Sequence, residues 1–397
     1  MEERLIDKIM LKEFKVKDAT IKTVDIAFMI CLWVFAFMIR KELLPIESAD
    51  YFGFLKEWMM TIRSYGGFPS LAHEISNYTS PYMYIMTLLS YISSNDLYAL
   101  KMVSIIFDYL ASIATFLILF QMTASVRKSM IGMAMILLSP TVILDGAYWC
   151  QCDIIYTTFL LFSFYYFLKD KGSKSALFFA ISFAFKLQSV FLLPFYILMW
   201  LKKRTVKLRY FLWVPVIYFI SVIPAWIAGR SLKELLLIYF NQSSYYPWGT
   251  LEYPNVYALL GEVIPDMRHA AEVSGAGTFM TIIILGCLAY YLYDKKINLT
   301  DELLVTLALF TVAIIVYSLP HMHERYGFLI DLFAGIYGVQ RVKKLPVTCG
   351  FVLVSMISYM PYLIAVDIVP IQYVAIAMLS LIIYVGYDLY TQIQESL

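Results

Sequence analysis

Long apolar runs separated by short polar segments set the pattern of this chain. Runs over residues 24–44, 97–122, 130–145, 153–168, 174–187, 188–201, 208–228, 277–293, 302–319, 323–340, 346–364 and 367–390 predict a bundle of about 11–13 transmembrane helices, several of them near the roughly 20 residues that cross a bilayer. Two stretches depart from the pattern. The apolar run at 81–93 is only 13 residues long and reads as a re-entrant or interfacial helix rather than a span. The run at 174–201 carries Phe185-Lys186-Leu187-Gln188 at its middle. It reads as two short spans meeting at those polar residues, the way broken helices build substrate sites, or as one kinked helix with Lys186 reaching for the interface. Ahead of the first span, residues 1–22 alternate charged and apolar positions and lack the pattern of a cleavable signal peptide. An amphipathic helix over residues 1–16, lying on the cytoplasmic membrane face, is the expectation.

Composition agrees with a membrane body. The chain has 397 residues, 61% hydrophobic and 15% charged, against roughly 25% charged in soluble domains. Its mean hydropathy is +0.72. A net charge of +2 gives no case for nucleic acid as a partner. Five cysteines, an odd count, do not suggest a disulfide scaffold. The fold class expected is therefore an all-α polytopic membrane protein, with a cytoplasmic segment over 1–22 and a single transmembrane domain over 23–397. With the N-terminus inside, about two thirds of the 31 Lys and Arg fall on the inner side, as the positive-inside rule requires. Letting 81–93 span would reverse that balance. Both termini are then cytoplasmic, and the two long polar loops, about 45–96 and 229–275, are external.

That assignment gathers titratable groups on the outer side, including His73, His269, His321 and His323, with Glu262 and Asp266. Such groups above an apolar body suggest chemistry at the membrane surface. Four constellations stand out. In Glu47-Ser48-Ala49-Asp50-Tyr51, Asp50 reads as a helix cap or as a general base at the mouth of a cavity. In Asp145-Gly146-Ala147-Tyr148-Trp149-Cys150-Gln151-Cys152-Asp153, a short polar turn between two spans, the cysteines are too close for an easy disulfide and lack a second pair for zinc. There Trp149 reads as a belt residue and Asp153 as a cap, or both as site residues. Lys186 beside Gln188 reads as an anion binder or a snorkelling lysine. The fourth is Leu319-Pro320-His321-Met322-His323-Glu324-Arg325-Tyr326, which at the start of the tenth span reads as a phosphate site helped by the helix dipole, or else as metal ligands or a solvated arginine. Asn77-Tyr78-Thr79 and Asn241-Gln242-Ser243 fit the N-glycosylation pattern.

At these places the sequence resembles the C-type (GT-C) membrane glycosyltransferases, and more narrowly bacterial proteins related to GPI mannosyltransferase II. Ala49-Asp50-Tyr51 through Leu55 and Trp58, with Gly66-Gly67-Phe68, resembles their first outer loop. Asn77-Tyr78-Thr79-Ser80-Pro81-Tyr82 is similar to their Tyr-Asn-Pro-Pro-Tyr element, with Thr79-Ser80 replacing the usual residues. Trp149 to Asp153 is similar to a Trp-Gly-Gln-Cys-Asp element, with Cys150 where glycine is usual. Phe185 to Gln188 and His323 to Tyr326 complete the set.

The resemblance implies a polyprenyl-phosphate sugar as donor and a glycan or lipid-linked acceptor, with membrane lipid around both. Asp50 would be the general base, with Glu47, three residues upstream, a loose counterpart of the family's paired acid. His323 and Arg325 would hold the leaving phosphate, helped by Lys186 with Gln188 beside it. Trp149, Gln151 and Asp153 would line the sugar pocket, with Tyr78 a further substrate-binding residue. No cofactor is implied, although some GT-C enzymes use a divalent ion that Asp50 with Asp153 could hold. The absence of an evident eukaryotic retention signal points to a bacterial plasma membrane. A transporter or flippase for lipid-linked glycans, or a polysaccharide polymerase or ligase, are the competing readings.

Overall fold

The computed structural model describes residues 9–16, 19–202, 206–243, 248–261 and 274–397. His269, Glu262 and Asp266, expected on the outer side, and the first half of the expected N-terminal helix lie outside them. From Leu11 to Val16 the chain is not helical. Glu13–Val16 (β1) pairs antiparallel with Ala19–Lys22 (β2), because Glu-Phe-Lys-Val and Ala-Thr-Ile-Lys alternate with the period of a strand. The ribbon runs straight into α1 (Thr23–Leu43), whose start is fixed by Asp25 accepting from the Lys22 backbone N–H at 2.9 Å.

After α1 come a π-turn (Tyr51–Leu55), α2 (Lys56–Ser64), α3 (Ser80–Ile92), α4 (Asp96–Thr123) and α5 (Val126–Leu138). A helical turn at Pro140–Ile143 and a second π-turn at Leu144–Tyr148 lead to α6 (Asp153–Leu168) and α7 (Gly172–Phe185). Next are α8 (Leu193–Lys202), α9 (Trp213–Ala228), α10 (Leu232–Ser243), β3 (Thr250–Leu251) and α11 (Val256–Leu260). The chain closes with α12 (Ser274–Asp294), α13 (Asp301–Ser318), β4 (Met322–His323), α14 (Phe328–Gln340), α15 (Leu345–Ile364) and α16 (Ile371–Glu395).

Among the described residues, seven helices are long and apolar enough to cross a membrane, or eight if the bent pair Val126–Leu138 and Pro140–Tyr148 counts as one span. The protein is an all-α, multi-pass integral membrane protein. Fewer helices reach spanning length than the apolar runs predict, because α6, α7 and α14 are short. Of these, α6 and α14 sit in the centre of the bundle, with Ile154, Leu160, Phe164, Phe328 and Phe333 buried. The peripheral helices α9 and α12 instead turn Ile220, Ile227, Phe279 and Ile282 outward, toward what in a membrane is lipid.

The predicted span 130–145 is bent by 47° between α5 and Pro140–Tyr148. Proline cannot donate to the helix ladder, so carbonyls in the preceding turn lose their partners. Arg40 of α1 supplies one: its Nη1 donates to the Leu137 carbonyl at 2.8 Å while its Nε pairs with Asp108 of α4 at 2.7 Å. Both side chains are fully buried. Removing one member of a buried pair strands the other, at a cost of about 3–5 kcal/mol. Arg40→Met is therefore expected to lower thermal stability sharply in lipid nanodiscs, and Arg40→Met with Asp108→Leu to recover much of the loss.

Candidate active site

Four segments distant in sequence meet at one end of the bundle around a cavity of about 480 Å³. The first is the exit from α1. Lys101 of α4 donates to the carbonyls of Leu43 (2.8 Å) and Ile46 (2.6 Å), closing the open end of α1. Ser48 then donates to the Trp149 carbonyl (2.5 Å) and accepts from the Tyr51 backbone N–H (3.1 Å). These bonds hold Asp50 in the cavity lining. Its backbone is helical and its side chain caps nothing, so the cap reading of Asp50 falls. Instead its Oδ2 accepts from Gln151 Nε2 at 2.5 Å.

The second segment is the turn after the Leu144–Tyr148 π-turn. Backbone bonds from Trp149 to Leu144, Cys150 to Gly146 and Gln151 to Asp145 wind it tightly. Such π-turns recur at functional sites because they re-aim the residues after them. Cys150 has φ +68, a left-handed conformation natural to glycine. Gln151 is buried and links Asp50 to Tyr78, whose hydroxyl donates to Gln151 Oε1 at 3.2 Å. Trp149 is no belt residue. It is 1% exposed, packs edge-on against Tyr359 at 5.3 Å, and lies 5.6 Å from the Arg325 guanidinium. Asp153 does not cap α6 either, since the capping position belongs to Cys152. Burial pushes the thiols of Cys150 and Cys152 up to about 12, so neither is a nucleophile at neutral pH.

The third segment is the break between α7 and α8. Lys186 is extended (φ −154, ψ 137), which separates α7 from a 3₁₀ turn at Leu187–Leu192 and rejects the single kinked helix. The Thr79 hydroxyl takes up the freed Phe185 carbonyl at 2.7 Å, and Lys186 Nζ reaches Asp153 Oδ1 at 2.6 Å. Gln188 also lines the cavity, its Oε1 buried without a hydrogen-bond partner.

The fourth segment departs from the sequence reading. His323 to Tyr326 do not open a helix. Met322–His323 forms a parallel pair with Thr250–Leu251, and α14 starts only at Phe328 with Gly327 as its cap. These residues lie ahead of the helix and not in its first turn, so any positive charge in this segment has to come from side chains. Arg325 supplies it. Its Nη1 lies 2.7 Å from Glu324 Oε1 and 3.9 Å from Asp50 Oδ2, and its Nε 3.3 Å from Asp153 Oδ2. Burial works against the guanidinium charge, but Glu324, Asp153 and Asp50 outweigh it and raise its pKa. Burial likewise pushes the Glu324 carboxyl up, while Arg325 and His323 (3.6 Å from Glu324) overcome it and hold it below the usual range. Burial pushes the Tyr78 phenol well up, keeping it a donor.

Of the ten residues singled out from the sequence, Asp50, Tyr78, Gln151, Lys186, Gln188, His323 and Arg325 line the cavity. Asp153 and Trp149 stand directly behind, holding Lys186 and Arg325. Glu47 is not in the lining; it pairs with Lys56 at 3.5 Å. The other described histidines also go elsewhere: His73 stacks on Tyr65, and His321 bonds the Trp248 carbonyl at 2.7 Å. Sequence reasoning missed Glu234 and Ile238, and gave no role to Glu74 and Tyr326, which also line the cavity. Glu234, Ile238, Asn241 and Gln242 recur at the spacing of one helix face, a readable signal in the segment expected to be the second outer loop. Among the described residues, no three His, Cys, Asp or Glu are placed together to hold a metal ion. Compared with known proteins, the chain matches no family model and no curated protein.

Proposed function

We propose that this protein is a GT-C-type glycosyltransferase that moves a hexose from a polyprenyl-phosphate sugar to an acceptor hydroxyl. The observation that carries the reading is one cavity in which a carboxylate, Asp50, faces a guanidinium, Arg325, at 3.9 Å. That gap is beyond direct hydrogen-bond reach but too narrow for a sugar, so the donor parts the two groups as it binds and leaves one on each face of the anomeric carbon.

The chemistry needs both groups. As the acceptor oxygen attacks the anomeric carbon, its proton passes to Asp50. The bond from the anomeric carbon to the phosphate oxygen breaks on the opposite face, and polyprenyl phosphate departs with the electron pair. Arg325, His323 and Lys186 stabilise the charge that grows on that phosphate. Direct displacement inverts the anomeric centre. Asp153 and Glu324 set Lys186 and Arg325 in place beforehand, so little reorganisation is needed at the moment of reaction. By the distribution of basic residues the site faces the outside, with both termini in the cytoplasm, and a bacterial plasma membrane is the setting proposed.

The test is transfer by purified protein in nanodiscs, offered radiolabelled polyprenyl-phosphate mannose, glucose and galactose. Glycosylated product of inverted configuration is expected with at least one donor. Movement of intact lipid-linked sugar between leaflets, with no transfer from any donor, would replace this reading with a flippase.

A further inference from the structure

The cavity has two chemically different ends. Lys186 and Arg325 are its lining cations among the described residues, with the His323 ring beside them, and they form one cluster through Asp153 and the lining carboxylate Glu324. The rest of the wall is of another kind. It carries Glu74 and Asn77 from the segment before α3, Glu234 and Gln242 from α10, and Phe54 and Trp58 beyond Asp50. The Gln242 amide donates to the Asn77 carbonyl, tying α10 to that segment. Trp58 packs against Phe54 at 6.0 Å and edge-on against Tyr78 at 5.4 Å. Arg230 approaches Glu74 from behind at 3.9 Å but is itself buried and outside the lining. Glu234 makes no ion pair among the described residues.

We infer that this second wall binds the acceptor and that the acceptor is a neutral glycan. The inference rests on the transfer reading and names its second substrate class. Carboxylates and amides accept and donate to vicinal hydroxyls, and an aromatic pair offers a flat apolar face to the C–H side of a pyranose. A carboxylate or phosphodiester on the acceptor would instead meet Glu74 and Glu234, both exposed at the mouth of the cavity, as like charges. Arg230 offsets Glu74 alone, and Lys186 and Arg325 are engaged at the far end of the cavity. A polymer linked by phosphodiesters is therefore disfavoured as acceptor, and an uncharged oligosaccharide or polysaccharide end is preferred.

Hexyl β-glucoside and hexyl β-glucuronide share one ring and differ in the charge at C6. Their binding to the full-length protein in nanodiscs of uncharged lipid tests the inference. The glucoside is expected to bind about tenfold more tightly. The gap should narrow at high salt and close in Glu74→Gln with Glu234→Gln, whose side chains are exposed and leave the fold intact. Equal or tighter binding of the glucuronide by the wild type overturns the inference, as does a preference unchanged in the double variant. Undecaprenyl phosphate binding, measured in parallel, tests the transfer reading separately. If the wild type fails to bind it while the glucoside preference stands, the transfer reading falls and the neutral-glycan wall remains.

Discussion

Asp50→Asn is expected to reduce sugar transfer by about 10²–10⁴-fold, the range in which a positioned general base contributes, with polyprenyl phosphate binding unchanged. The substitution preserves shape, and the hydrogen bond from Gln151 Nε2, 2.5 Å from Oδ2 in the wild type, can be kept by the asparagine carbonyl. What is lost is the ability to take a proton. Asp50 belongs to a segment fixed by Lys101, Ser48 and Tyr51 through backbone bonds, so the variant should fold with its cavity intact. Single-turnover assays with saturating donor, together with donor binding, separate the two effects. Full activity in Asp50→Asn would move the base elsewhere, with Glu324 the nearest carboxylate to Arg325. Loss of donor binding in step with activity would make Asp50 a binding group and not a base.

The positions of Asp50, Lys186 and Arg325 in one cavity were legible because each marks a polar interruption in apolar sequence, where burial demands a partner. The limits of α6, at 153 and 168, follow from an unbroken apolar run between charged ends. The break at Lys186 was legible for a similar reason, since a lysine and a glutamine at the centre of a long apolar run need satisfaction that a continuous helix does not give. Other features depend on contacts that periodicity cannot carry. The apolar run into α14 hides the fact that Met322–His323 is drawn into a pairing with Thr250–Leu251, some 70 residues away in sequence. That contact, and not helix geometry, sets the direction of the His323-Glu324-Arg325 turn. The N-terminal ribbon was a misjudged period: alternation in steps of two in Glu13 to Val16 belongs to a strand. The cavity face of α10, Glu234 with Ile238, Asn241 and Gln242, was hidden by reading residues 229–275 as a polar loop, although that face repeats with the helical period.

Arg325 is the residue whose loss should do most damage, because it serves stability and chemistry at once. Arg325→Ala leaves Asp153, Glu324 and Asp50 facing one another without the cation that separates them. A buried charge stripped of its partner costs about 3–5 kcal/mol, enough to lower yield and thermal stability visibly. In catalysis, removing one preorganised donor to developing charge costs about 10²–10³-fold. Arg325→Lys separates the two roles. It retains the charge, so the carboxylates stay compensated and the fold should hold. It loses the planar fork that meets Glu324 and Asp153 from different nitrogens while keeping further N–H groups for a phosphate oxygen. The lysine variant should therefore be nearly as stable as the wild type, bind polyprenyl phosphate more weakly, and transfer sugar at least tenfold more slowly. A lysine variant that transfers at the wild-type rate would mean that charge alone acts here and that the fork has no part in holding the leaving group. An alanine variant that is unstable yet binds polyprenyl phosphate normally would confine Arg325 to the structure and shift the phosphate site to Lys186 and His323.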